Sequence, residues 1–225
     1  MPILNPDHSR DLSPVSSLPD IVYERLRRGI LTGEYPPGHA LRQDDLAAKL
    51  GTSRVPLREA MRRLESEGLL ILRPRRGYAV ISLEVDEIRE IFELRAEIEA
   101  HAGRIAATTR TAQDIALVET ALRAMENIPV STPRQIDKWL DANIVFHERL
   151  FASAKRKHLS RITQMLRDLV EPYIRVEVGL TKDVAEAQRE HRQMLKALRD
   201  GDALHLGELC RQHCEHTATR LIEAL

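Results

Sequence analysis

Four residues with donor atoms suited to a metal ion stand where apolar residues are due. In "DKWLDANIVFHERLF" the stripe Leu140, Ile144, Leu150 and Phe151 includes Asn143 and His147, four apart and hence on one helix face. His191 falls among Val184, Ala187, Met194, Leu195 and Leu198, and His213 among Leu206, Leu209, Cys210 and Leu221. A buried polar group without a partner costs about 1–3 kcal/mol, so such positions satisfy one another or bind something. Three neutral imidazoles with an amide or carboxylate oxygen make a ligand set for Zn²⁺, Ni²⁺ or a similar divalent ion, with positions left for water or a ligand. Taken singly, each histidine is more often an ordinary half-buried residue, and spacing alone does not gather three helices at one point.

A charged pair shares this setting. Arg95 lies on the stripe Ile88, Ile91, Ile98 and Ala102, with Glu99 one turn on. An inward cation needs an anion, and beside a metal with open positions it suits a small organic acid. The competing reading is an internal Arg95–Glu99 ion pair. His101 and His216 read as surface or supporting histidines, and Cys210 and Cys214 as core filler.

The second concentration of chemistry is "GTSRVPLREAMRRLESEGLLILRPRRGYAVI", residues 51 to 81, where seven arginines face three glutamates in a chain of zero formal net charge. Ser53, Arg54, Val55 and Arg58 fall in the first turn of a helix, where arginine can reach guanine O6 and N7. Arg62 lies one turn further on the side of Arg58. Arg73, Arg75, Arg76 and Gly77 belong to a turn between two short apolar runs, and Arg42 precedes the helix before; these suit phosphate contacts. Glu59, Glu65 and Glu67 could instead pair with the arginines on a solvated face. The surroundings decide between these readings.

Those surroundings are a helix over about 18–31, a turn at "TGEYPPGHAL", a short helix "RQDDLAAKL" ended by Gly51, and a helix "RVPLREAMRRLESEG" with proline near its start. The hairpin "LLILRPRRGYAVI" follows. Helix, tight turn, arginine-bearing helix and basic hairpin are the order of a winged helix-turn-helix. Beyond about residue 83 the pattern is helical: a long amphipathic helix, then "TAQDIALVETALRAME", a break at "NIPVSTPR", and helices over about 137–153, 156–179, 183–199 and 202–224. The expected fold is mainly α: a disordered arm over 1–17, a winged helix-turn-helix with a small β-hairpin wing over 18–82, and an all-α helical bundle over 83–225.

At this point the sequence resembles the GntR family of bacterial transcription regulators. "LRQDDLAAKLGTSRVPLREAMRRLESEGLLILRPRRGYAV" follows that family's DNA-binding pattern over about forty residues, with its Ser-Arg-x-Pro-x-Arg-Glu-Ala core and Arg-Gly wing tip. The helical remainder is similar to the FadR-like branch, whose C-terminal ligand domain is called FCD. The resemblance implies that His147 in "FHERL", His191 in "EHRQML" and His213 in "CRQHC" share one metal site. Its usual acidic ligand stands four residues before the first histidine, where this chain has Asn143, a neutral ligand that weakens or retunes the site. The pockets of that family bind organic acids and related metabolites.

The expected protein is therefore a ligand-responsive transcription regulator, acting as a repressor. It binds a palindromic double-stranded DNA operator as a homodimer, with a divalent metal, Zn or Ni, and a small organic acid effector in the bundle. A metal sensor using the same residues is the nearest alternative. A metal-dependent hydrolase is the distant one, because Glu148, next to His147, points off the ligand face. Two cysteines four apart are no disulfide framework and point to the cytoplasm, and no apolar run is long enough to span a membrane. The first 82 residues carry 13 Lys+Arg against 10 Asp+Glu and the rest 21 against 24, so charge placement, not net charge, carries the nucleic-acid reading.

Overall fold

The computed structural model describes residues 17–74 and 76–224. The expected arm over 1–17 lies outside these residues except for Ser17, and Arg75 also lies outside them. Ser17 caps the first helix, α1 (Leu18–Leu31), through a capping box with Asp20. Then come β1 (Ala40–Leu41), α2 (Gln43–Leu50), α3 (Arg54–Ser66), β2 (Leu70–Arg73) and β3 (Gly77–Val80). The helices α4 (Val85–Thr109), α5 (Ala112–Glu126), α6 (Pro133–Ala152), α7 (Lys157–Thr181), α8 (Ala185–Asp200) and α9 (Ala203–Ala224) complete the chain.

Two apolar cores account for this arrangement. Leu26 and Ile30 of α1 meet Leu57, Met61 and Leu64 of α3 in the first, all fully buried, with Leu41, Leu70 and Val80 closing it from the sheet. Periodicity explains α3: Leu57, Ala60, Met61 and Leu64 recur at three and four residues, which leaves the arginines between them outside. The second core gathers Ile88, Val118, Leu140, Phe146, Leu150, Val170, Leu198 and Leu206 from all six later helices. In it α4 and α9 approach closely, since a Cβ built on Gly207 would lie 3.0 Å from the Ala100 carbonyl oxygen.

The wing contains the expected hairpin, β2 with β3, and adds a third strand, β1. Its sheet has three strands in the order β1-β3-β2, all antiparallel, with Leu41 opposite Tyr78 and Arg73 opposite Gly77. A two-residue strand shows no alternation for sequence reading to catch; Leu41 is held there by burial of its side chain, 2 % exposed. Gly77 has φ 81°, the left-handed conformation that the wing's return requires and that glycine adopts at least cost. Helix α6 begins at Pro133, before the expected 137, because the supposed break supplies its start: Thr132 and Gln135 form a capping box around proline at the first position.

The two cores meet along α1 and α7. Arg27 of α1 pairs with Asp168, Arg175 Nε donates to the Leu31 carbonyl at 2.7 Å, and the amide of Leu83 donates to Tyr173 Oη at 2.5 Å. Leu169 packs against the N-terminal core. One helix, α7, thus faces both parts.

Candidate metal centre and DNA-binding face

Helices α6, α8 and α9 bring His147, His191 and His213 together in the second core, 1 %, 0 % and 5 % exposed. One ring nitrogen of each lies within 4.8 Å of those of the other two, and the Nε2 atoms of His147 and His191 are 3.2 Å apart. Two ligands about 2.1 Å from one ion, at tetrahedral to octahedral angles, stand about 3.0–3.4 Å apart, so this spacing matches shared coordination. Burial holds His147 and His191 well below the usual histidine range, with the Arg167 charge or the neighbouring histidines adding to it. Burial also lowers His213, outweighing the opposing pull of Glu190. Each ring is thereby shifted toward the neutral form, the one that ligates.

Asn143, one turn before His147 on α6, lines a small cavity together with His213. Its Oδ1 is buried and without a hydrogen-bond partner among the described residues, as are the Nδ1 atoms of His147 and His191. An orphaned amide oxygen one turn before His147 is a free donor to a cation. Asp141 is exposed and its carboxylate lies 3.9 Å from Arg175, away from the histidines. The residues present therefore fit a divalent ion held by three imidazoles and a neutral oxygen.

Next to the histidines is a cavity of about 30 Å³, lined in part by Arg95, Trp139, Asn143, Arg167 and His213. By the usual measure a water needs about 10–15 Å³, so the space takes about two waters and an organic acid needs side chains to move. Arg95 Nη1 and Trp139 Nε1 are buried donors with no partner among the described residues. Arg95 Nε meanwhile donates to Glu99 at 2.8 Å, and Arg167 Nη1 reaches the other Glu99 oxygen at 3.3 Å. Burial pushes the Glu99 carboxyl up, but Arg95 and Arg167 outweigh it and hold it below its usual range. Glu99 therefore anchors arginines and is not among the residues lining the cavity, whereas Arg95 both pairs with Glu99 and lines it.

Sequence reading missed three members of this site. Glu190 receives His213 Nδ1 at 2.6 Å, Arg167 is 5 % exposed, and Trp139 is 2 % exposed. The period held a signal: Ala187, Glu190, His191, Met194 and Arg167, Val170, Glu171, Ile174 are continuous helical stripes with charges in them. His216 is half exposed and bonds the second oxygen of Glu190 at 2.5 Å, and His101 is exposed. Cys210 and Cys214 are buried free thiols pushed up by burial, which suits core filler and not thiolate ligands.

On the opposite part of the molecule, Ser53 is the N-cap of α3 with no side-chain capping bond, so its hydroxyl is available. Arg54, Val55, Arg58 and Arg62 are exposed along one side of α3, and Val55, at 68 %, is an apolar residue facing outward. Arg54 pairs with Asp44 of α2 at 2.6 Å; both side chains are largely exposed, and such a pair is worth at most about 1 kcal/mol, so a DNA base can displace it. Arg42 is exposed at the start of α2, and Arg73 and Arg76 are exposed on the wing. Arg63 belongs to a different set, since it pairs with Asp20 and Glu67 and lies over the Tyr23 ring at 3.7 Å.

Comparison with known proteins agrees with both halves. Residues 18–80 match the bacterial regulatory proteins of the gntR family, and residues 90–216 match the FCD domain. The chain is 28% identical over 204 residues to the HTH-type transcriptional regulator YdhC of Bacillus subtilis (strain 168), covering 86% of this chain and 88% of that protein. It is 26% identical over 198 residues to the HTH-type transcriptional repressor GlaR of Escherichia coli (strain K12), covering 85% and 90%. The solved structure of E. coli McbR/YncC has the same fold, with a TM-score of 0.79 at 23% identity over 92% of this chain and 98% of that one. Among the described residues no helix is long and apolar enough to cross a membrane. With a gntR match over the winged helix-turn-helix and an FCD match over more than half its length, the chain belongs to the GntR family of DNA-binding transcription regulators and is not an enzyme.

Proposed function

We propose that this regulator is a cytoplasmic repressor that binds a palindromic operator as a homodimer, and that a small organic acid acting on a divalent ion, Zn or Ni, controls it. Residues 18–82 read DNA and residues 83–225 bind the effector and the partner subunit. The observation that carries the reading is the convergence of three neutral imidazoles and the orphaned Asn143 oxygen with the unpartnered donors of Arg95 and Trp139. His147, His191, His213 and Asn143 would hold the ion, which supplies open coordination positions to an acid's oxygen. Arg95 and Trp139 then bond the same carboxylate, and Arg167 adds positive charge. Repression accords with relatives that are themselves named repressors. On DNA, Arg54 and Arg58 read bases, with Ser53 and Val55 beside them, while Arg42, Arg62, Arg73, Arg75, Arg76 and Gly77 meet the backbone.

His191→Ala should lose the metal that the purified parent carries, measured by elemental analysis. Organic acids should raise the thermal midpoint of the metal-loaded parent and leave that of Arg95→Ala unmoved. Equal metal in parent and His191→Ala would end the metal reading. A second reading is favoured by the size of the cavity: with room for about two waters, the ion itself is the signal. DNA affinity that follows Zn²⁺ or Ni²⁺ concentration, with no effect of any organic acid, selects that reading.

A further inference from the structure

Glu190 is not a ligand in the proposed metal site, yet it accepts two hydrogen bonds that join α8 to α9. It immediately precedes His191 on α8, is 8 % exposed, and uses both oxygens: Oε2 receives His213 Nδ1 at 2.6 Å and Oε1 receives His216 Nδ1 at 2.5 Å. His213 and His216 are three apart on α9, so both rings leave one side of that helix and grip one carboxylate. Building on the metal reading, we propose that Glu190 is a positioning residue that presets His213 as a metal ligand before the ion arrives.

An ionised carboxylate only accepts, so His213 must carry its proton on Nδ1. In a neutral ring that leaves Nε2 bare, with its lone pair free for a cation. His147 and His191 are not fixed in this way. Their Nε2 atoms face each other at 3.2 Å, which without an ion needs a proton between them, and their Nδ1 atoms have no partner to choose the tautomer. Both must therefore settle their protons when the ion binds, whereas His213 is already in its ligating form. His216 holds the second oxygen, so the carboxylate cannot rotate away from His213.

The test uses the full-length protein and Zn²⁺ affinity measured against a competing chelator. Glu190→Gln removes the charge and offers an amide that can donate as well as accept, so affinity should fall by about tenfold to a hundredfold, the usual effect of losing such a supporting partner. Glu190→Asp keeps the carboxylate and should recover part of the loss. In the metal-free parent, ¹⁵N shifts of the His213 ring should report Nδ1–H with bare Nε2, and in Glu190→Gln a mixture of tautomers. Parent-like affinity in Glu190→Gln, while His213→Ala loses the metal, overturns the proposal and leaves the metal site standing. Parent-like affinity in His213→Ala brings down the metal site itself. Should Glu190→Gln fail to fold, the parent's spectrum decides, because an Nε2–H ring at His213 also overturns the proposal.

Discussion

Single residues divide the arginines of this chain by what surrounds them. Arg54 is exposed and pairs with an exposed Asp44, so Arg54→Ala should cost about 1–3 kcal/mol of discrimination at one base pair of each half-site while sparing non-specific affinity. Arg76→Ala, on the wing, should instead weaken all sequences alike and reduce the salt dependence of binding by about one counterion. Fluorescence anisotropy on specific and scrambled duplexes at several salt concentrations separates the two. Glu171 gives a pH prediction. It is 2 % exposed, burial drives its carboxyl up to about 7 against the opposing charges of Arg167, Arg175 and Arg95, and Asp168 adds to the rise. Its folded value exceeds the unfolded 4.5, so between pH 4.5 and 7 the native state holds the extra proton and stability falls as pH rises. Glu171→Gln should remove that contribution, giving a shallower decline in urea midpoint from pH 5 to pH 7.5; an unchanged decline would refute the assignment. The histidines were legible in the sequence because each interrupts an apolar stripe. Arg167 and Glu190 lie on such stripes too but do not stand out, because long charged side chains usually snorkel to solvent, and the packing of α7 and α8 shows that these do not.

At the scale of elements, α7 is the connection between cavity and DNA-binding part. Arg167 lines the cavity, and the next residue, Asp168, pairs with Arg27 of α1; two turns on, Arg175 bonds the end of α1 and also Asp137 of α6 at 2.5 Å. Pro172 lies between these contacts, and its missing N–H deprives the Asp168 carbonyl of its helical donor. A double-mutant cycle of Arg27→Met and Asp168→Asn should give a coupling energy of about 0.5–3 kcal/mol in unfolding experiments, and zero coupling would show that the pair does not tie the parts. The same variants should bind DNA but respond less to metal or acid than the parent. Most helices were readable from period and caps: α1 runs over the expected 18–31, and α3 starts at the expected Arg54. Start signals were harder where they resemble breaks, as at Thr132 and Pro133, and β1 is too short to carry any pattern.

For the whole molecule, a neutral net charge conceals a division of labour. The N-terminal core is built on apolar stripes that leave the α3 arginines outside, and the C-terminal core takes in polar residues, some paired with one another and some, such as Asn143, with an atom left unpaired among the described residues. Organisation into a basic reading unit and a helical bundle was legible because each has its own period and punctuation. The contacts between the two were not, since Arg27–Asp168 and Arg175–Leu31 join residues more than a hundred positions apart. A ligand controls DNA binding only by favouring one arrangement of the two units over another. The most direct measurement is therefore affinity for an operator selected from genomic fragments, taken with metal-free and Zn²⁺-loaded protein, for the parent and His191→Ala. The parent's affinity should change at least about tenfold between the two states, equivalent to about 1.4 kcal/mol of coupling, and the variant's should not change. Equal affinity in both states of the parent, with organic acids also without effect, would contradict the account.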